Sequence, residues 1–382
     1  MGVTNTLYAC LNSQTNINQI LTSAANPLLQ MQQTLGVTNA LKSSVNTAGF
    51  QVTQGIPVQS NYARPTSTSN RKVTVQGRVK GCPTVVTSKP DPCAGETPET
   101  SDLVDSEVTV ENGNWHSFTL NRQVYQDTCD LGSPYASSVL AYKLLEGVEA
   151  VLKAENAAHI AAMLAGVNPY FSGAASTVNG GTEEIINLYS STAPVVPQPG
   201  NMFRLIEQYR RQGYTSLLPI VTGGTILSRW AFDLGFYRGN VDGLDIGRTP
   251  FNIPTFIDYD IDSQAQAIGP NSNSRLMSWV PGHAIRLTYL DWSEGSPLRR
   301  TTDNITKTTM MFGDEVMDVS IYDAECDDFV DVTVGRYSDL YLLPSTFFGA
   351  TDCGGQQGLH TWLTPCADTD CDDILLPENV IT

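Results

Sequence analysis

Hydrophobic spacing along the chain changes period several times, and each change predicts a different kind of element. From Ser133 to Gly166 it is helical. Leu140, Leu144, Val148, Val151 and Leu152 recur at three- and four-residue steps, and Leu145, Met163 and Leu164 widen or extend the stripe. Ser133 suits an N-cap, Pro134 the first helical position, and Gly166 the residue just past the end. Lys143, Glu146, Glu149, Lys153 and Glu155 are assigned to the other faces. Such a helix would span roughly 50 Å. Gly147 is its one interior weakness and marks a candidate bend.

Before the helix the period is two. Alternation runs through Lys72–Val79, Glu107–Val110 and Trp115–Leu120, followed by Gln123-Val124-Tyr125. Asn112-Gly113 reads as a hairpin turn between the second and third runs. A Cys/Pro/Gly/Asp/Glu-rich loop, 81–105, separates the first and second. The result is a long, mostly two-stranded projection, and an isolated hairpin is marginal in water. Residues 1–68 are polar, with no strong strand alternation and with short helices expected between Asn12 and Leu41. They read as an arm that gains order by lying on something else.

After a Gly/Ser/Asn-rich boundary at 172–181, short helices and strands alternate, as in a mixed α/β unit. Asn201–Gly213 and Gly224–Gly235 are helical; Tyr214–Val221, Leu276–Val280 and Ala284–Leu290 are strands. Thr249–Ile261 is extended, and Pro250 and Pro254 confine it to an edge or loop. Strand periodicity returns at Glu315–Ile321, Phe329–Val334 and Tyr337–Leu342, and a Gly/Cys/Asp-rich tail follows Pro344.

Composition narrows the function. The chain has 382 residues, enough for two or three cores, and carries 22 Lys plus Arg against 39 Asp plus Glu, a net charge of −17. That field argues against gripping nucleic-acid phosphates. Arg204, Arg210 and Arg211 form a local basic group that reads as a solvated helix face. No secretory signal and no membrane-length apolar window are expected. Met1-Gly2 fits a loose myristoylation pattern, and Asn304-Ile305-Thr306 is a lone sequon.

Candidate chemistry is sparse. His116, His159, His283 and His360 are scattered, and no H-E-x-x-H, G-x-S-x-G, P-loop or G-x-G-x-x-G pattern occurs. Gly223-Gly224 lacks the Lys that a phosphate loop requires, and His159 reads as a packing residue. Asp323, Glu325, Asp327 and Asp328 could hold a hard cation or form a solvated acidic turn. Cys353, His360, Cys366 and Cys371 supply zinc-type ligands at irregular intervals, with disulfides or free thiols as alternatives. Cys82 with Cys93, and the trio Cys353, Cys366 and Cys371, are candidate disulfides or inter-subunit staples in loops. No cofactor and no enzymatic activity are expected.

The order of elements resembles the tailed-bacteriophage major capsid protein with the Hong Kong 97-type fold. The resemblance covers nearly the whole chain and is carried by GVEAVLKAENAAHIAAM, by Leu205–Asp260 and by MDVSIYDAECDDFVDVTVG. It implies an α+β fold with an N-terminal arm (1–68), an extended β-hairpin E-loop (69–128) and a P-domain with a long spine helix (129–180). A mixed α/β A-domain (181–300), the P-domain strands (301–350) and a C-terminal tail (351–382) would follow. It further implies hexamers and pentamers in an icosahedral shell around phage double-stranded DNA, without sequence-specific binding and without a membrane. A separate scaffolding protein, a portal and decoration proteins would be partners. The shell would be assembled in the host bacterial cytoplasm and end in the virion. An encapsulin-type compartment and another phage structural protein, of tail or adhesin type, are the alternatives.

Overall fold

The computed structural model describes residues 35, 37–38, 44–47, 50–53, 63–67, 71–78, 103–124, 134–165, 184–190, 196–211, 218–235, 237–240, 243–246, 253–262, 273–281, 283–292, 305–312, 315–323, 328–342 and 358–365. Among them the long helix α1, Pro134–Ala165, runs unbroken for 32 residues, matching the expected span. It lies on a seven-stranded sheet. That sheet contains β1 (Ser44–Thr47), β2 (Phe50–Thr53), β6 (Gly113–Asn121), β13 (Ala284–Tyr289), β14 (Ile305–Phe312), β15 (Glu315–Asp323) and β16 (Phe329–Leu342). The strands run in the order β1-β2-β13-β16-β15-β14, with β6 also paired to β16.

Leu140, Leu144, Val148, Val151 and Leu152 of α1 pack on Leu120, Phe312, Met317, Val319, Ile321, Val330, Val332 and Val334. Alternation in β14 and β15 places Phe312, Met317, Val319 and Ile321 on this inner face. The strand at Ile305–Phe312 was not legible beforehand, because two of its inward positions are threonines, Thr306 and Thr308.

Gly147 marks close packing. A Cβ there would lie 2.7 Å from Val334 Cγ1 and 3.1 Å from the His116 ring. Gly147→Ala gains about 1 kcal/mol in helix propensity but meets an overpacking cost of roughly 1–3 kcal/mol. We expect a net loss of about 1 kcal/mol in chemical denaturation; a stabilised variant would mean that β16 yields freely.

A second, five-stranded sheet has the order β11-β8-β12-β17-β7. Its members are β7 (Glu184–Ile185), β8 (Ile220–Gly223), β11 (Thr255–Ile257), β12 (Asn273–Trp279) and β17 (Leu359–Pro365). As the prolines require, β11 is at an edge. Helices α2 (Pro199–Arg211) and α3 (Thr225–Asp233) fall where the sequence places them. Met202, Leu205, Ile206, Ile226, Leu227 and Trp230 join Val221, Leu276 and Trp362 in a second core. Leu359–Pro365 lies within the segment assigned above to a tail, yet it pairs with both β12 and β7. Ile160 and Met163, at the far end of α1, enter a third core with Ile220, Met277, Trp279, Ala284 and Leu359. The helix therefore bridges the two sheets.

Two expectations are corrected. Asn112-Gly113 is not a hairpin turn, since β5 (Leu103–Thr109) pairs with β4 (Lys72–Arg78) whereas β6 pairs with β16. Here the local turn signal loses to tertiary pairing. Among the described residues the projection also has three strands, because β3 (Ala63–Ser67) adds to β4. Among the described residues, 1–68 thus contribute β1, β2 and β3, with β1 paired to β2 and β2 extending the main sheet beside β13. Their polar composition, without a clear apolar alternation, hid them. A two-stranded sheet of β9 (Tyr237–Asn240) and β10 (Gly243–Ile246) completes the described structure.

Candidate functional site

The apolar stripe of α1 turns polar midway without leaving the protein interior. Glu155 sits three residues after Leu152 and seven after Val148, so it stays on the inward face, and it is 1% exposed. Its assignment above to the outer faces is corrected. Asn156 and His159 are equally buried beside it.

Glu155 meets two guanidinium groups. Its Oε1 accepts from Arg336 Nε at 2.7 Å, and its Oε2 accepts from Arg336 Nη2 at 2.7 Å and Arg286 Nη2 at 2.8 Å. Glu315 closes the square, accepting from Arg336 Nη1 at 2.7 Å and Arg286 Nη1 at 3.2 Å. Arg336 also donates to the Val316 carbonyl. The four charges cancel, and together they tie α1 to β13, β15 and β16. Burial alone would raise the Glu155 carboxyl, but Arg336 and Arg286 outweigh it and hold the group below its ordinary value. Burial likewise opposes the charge on Arg336, and Glu155 and Glu315 reverse that, keeping the guanidinium firmly protonated. The forked contact from Arg336 and the single bond from Arg286 on Glu155 fix both the register and the rotation of the helix.

His159, one turn on, has Nε2 3.2 Å from Ser338 Oγ. Burial, then the Arg286 charge, pushes it down to about 3, so it is a neutral packing group at ordinary pH.

Next to the charge square, α1 receives the arm. Asn156 Nδ2 donates to Asp258 Oδ2 at 2.9 Å, and its Oδ1 accepts from Thr38 Oγ1 at 2.9 Å. Asp258 accepts from the Val37 amide at 3.0 Å. Leu35 and Val37 are buried around this knot. Leu35, Val37 and Thr38 of the arm therefore pack against the body of the chain. Burial raises Asp258 to about 6 despite these donors.

Gly223-Gly224 serves close approach rather than phosphate. Asp262 crowds Gly224 and accepts the Thr225 amide at 2.8 Å, so a carboxylate of the chain itself satisfies the N-terminus of α3. Asp323 pairs with Arg122, and the Asp328 carbonyl accepts the Arg122 amide, while Glu325 and Asp327 lie outside the described residues. His360 lies in β17, its ring 5.0 Å from Tyr209 and 6.3 Å from Trp362. Burial lowers His283 to about 4. Arg204 and Arg210 are exposed on α2, as a solvated face requires. The cysteine calls at Cys82, Cys93, Cys353, Cys366 and Cys371 lie outside the described residues. Among the described residues no three His, Cys, Asp or Glu side chains converge as a metal site, and no helix is long and apolar enough to cross a membrane.

The charge square was missed because each member hides in an apolar-looking run. Arg286 sits within AIRLTYL, Arg336 within VTVGRYSDL, and Glu315 opens an alternating strand. Continuing the α1 stripe past Leu152 would have flagged Glu155.

No protein-family model matches the sequence, and no curated protein sequence matches it. Solved structures do. The capsid asymmetric unit of Cyanophage A-1(L) is 9% identical, over 80% of this chain and 89% of that one, with a TM-score of 0.45. The capsid of Ralstonia phage GP4 is 12% identical, over 78% and 84%, with a TM-score of 0.42. The holo-SrpI encapsulin complex from Synechococcus elongatus PCC 7942 is 9% identical, over 85% and 93%, with a TM-score of 0.39.

Proposed function

We propose that this chain is a structural shell subunit with the Hong Kong 97-type fold. It assembles as hexamers and pentamers into an icosahedral capsid around phage double-stranded DNA. The observation that carries the reading is the three-stranded sheet β3-β4-β5. It is separate from the seven-stranded sheet that the chain enters next, and it precedes a 32-residue helix bridging two cores. A three-stranded sheet standing apart gains by packing against other surface, and neighbouring copies in a closed shell would provide it. A net charge of −17 suits a wall that encloses nucleic acid without gripping it.

On this reading the seven-stranded sheet with α1 is the P-domain, the five-stranded sheet with α2 and α3 belongs to the A-domain, and β3-β4-β5 is the E-loop. The chain is then a building element rather than an enzyme. A scaffolding protein, portal and decoration proteins are its partners, the host cytoplasm its assembly site and the virion its destination. The loop cysteines are candidate staples between subunits.

Electron microscopy of the purified chain, alone and with its scaffolding protein, should show rings, sheets or closed shells. Monomers under every condition would sink the proposal. Shells purified from cells that hold a protein cargo and no DNA would favour the encapsulin alternative. Deleting residues 81–102, between β4 and β5, should leave the helical circular dichroism intact while lowering particle yield by at least about tenfold. Unchanged particle yield would mean that the projection makes no contact that assembly needs.

A further inference from the structure

We propose that Asp339 and Tyr337 form a latch that holds the three-stranded sheet β3-β4-β5 at a set angle to the main sheet, and that opening it lets the projection swing as a unit. Both residues belong to β16 and, two positions apart, share its face away from α1. The chain leaves β5 at Thr109 and enters β6 at Gly113, so three residues join the sheets. Across that joint Asp339 collects three donors. Its Oδ2 accepts the Glu111 amide at 2.6 Å and the Asn112 amide at 3.3 Å, and its Oδ1 accepts the Asn112 side-chain amide. The Ser338 amide donates back to the Asn112 carbonyl at 2.8 Å.

The second hold is on Arg71, the turn residue just before β4, with its guanidinium carbon 4.0 Å from the centroid of the Tyr337 ring. It is the described non-glycine residue with positive φ, 53°, a conformation that arginine adopts at a cost and that tertiary contacts must hold. Its carbonyl accepts the Val110 amide at 2.9 Å, which links the turn to the joint. Trp115 packs edge-on to Tyr337 at 5.8 Å, and a Cβ at Gly113 would lie 2.9 Å from both rings, so the pivot is closely fitted.

Such a root differs from a continuous sheet. Every hold named here is a side-chain contact or a single backbone bond beside a three-residue link, whereas β4 and β5 pair over seven residue positions. Releasing the carboxylate frees the joint and leaves those ladders whole. The alternate β16 residues point the other way, Arg336 to Glu155 and Ser338 to His159 on α1. One short stretch of strand is therefore gripped by the long helix on one face and by the projection on the other. The latch does not depend on the chain building a shell.

The full chain carrying Asp339→Ala tests this, with Asp339→Asn as a milder second variant that keeps one carbonyl acceptor. Hydrogen–deuterium exchange should accelerate by at least about tenfold in peptides covering Glu111 and Asn112, with β4, β5 and α1 as protected as before. Spin labels introduced as unnatural amino acids at Thr74 and at exposed Tyr142 should give one narrow distance distribution in the parent and a broader one in Asp339→Ala. Asp339→Asn should fall between. An unchanged distribution in the alanine variant would overturn the latch. So would loss of α1 protection together with the joint, because the root would then be part of one cooperative unit.

Discussion

Arg336→Met should cost roughly 3–5 kcal/mol of folding stability, because it strands Glu155 and Glu315 in the interior with Arg286 alone between them. The guanidinium is fully buried and makes four contacts within 3.1 Å, so no water can replace it without opening the sheet. The double variant Glu155→Met with Arg336→Met should be less damaged than the two single changes added together. It leaves Arg286 and Glu315 as one balanced pair, and contacting residues couple by about 0.5–3 kcal/mol. The surface pair of Lys153 with Glu149 is a control. Those ions are 2.6 Å apart, but both side chains are more than a third exposed, so Lys153→Met should cost under about 1 kcal/mol. Urea denaturation of the four variants decides the matter; a loss below about 1 kcal/mol for Arg336→Met would mean the square does not anchor the helix.

Asp318 should make stability depend on pH, with a sign opposite to that of most carboxylates. It is fully buried on the outer side of the main sheet, where it accepts the Asp291 and Trp292 amides at 2.6 and 3.1 Å. Burial is the main cause that lifts it to about 7, and those two donors only moderate the rise. A raised carboxyl contributes stability that is fully present below its unfolded value near 3.8 and is lost as pH climbs through 7. The difference in unfolding free energy between the parent and Asp318→Asn should therefore change by about 4 kcal/mol between pH 3.5 and pH 8, with the parent relatively better at acid pH. Burial raises Asp258 in the same direction, to about 6. His159 and His283 act oppositely. Held down to about 3 and 4 by burial, they contribute stability that is present above 6.5 and lost as pH falls. The parent's own profile should be flattened between pH 4 and 6.5, so the comparison with the variant is the informative one. A difference independent of pH would show that Asp318 ionises normally.

Much of the framework can be read one element at a time. Pro134–Ala165, Pro199–Arg211 and Thr225–Asp233 follow from local spacing, because a helix satisfies its own backbone and needs from its neighbours only a surface for its stripe. Strand runs such as Glu315–Ile321 are similarly visible through alternation. The proline-marked edge at β11 also follows from one local fact, the amide that proline lacks.

Tertiary structure decided what those elements join. Asn112-Gly113 carries a sound hairpin signal, yet the strands on its two sides belong to different sheets, since pairing is settled by partners more than two hundred residues away at Phe329–Tyr337. Leu276–Val280 and Ala284–Leu290, both assigned above to the α/β unit, likewise part, β12 to β17 and β13 to β16. The inward direction of Glu155, the partners of Arg286 and Arg336, and the crowding at Gly147 had the same origin. A charge or a glycine is read from sequence as solvent-facing or weak. Only when distant strands close around it does desolvation, with the opposite charge brought alongside, turn it into the fixed point on which the long helix rests.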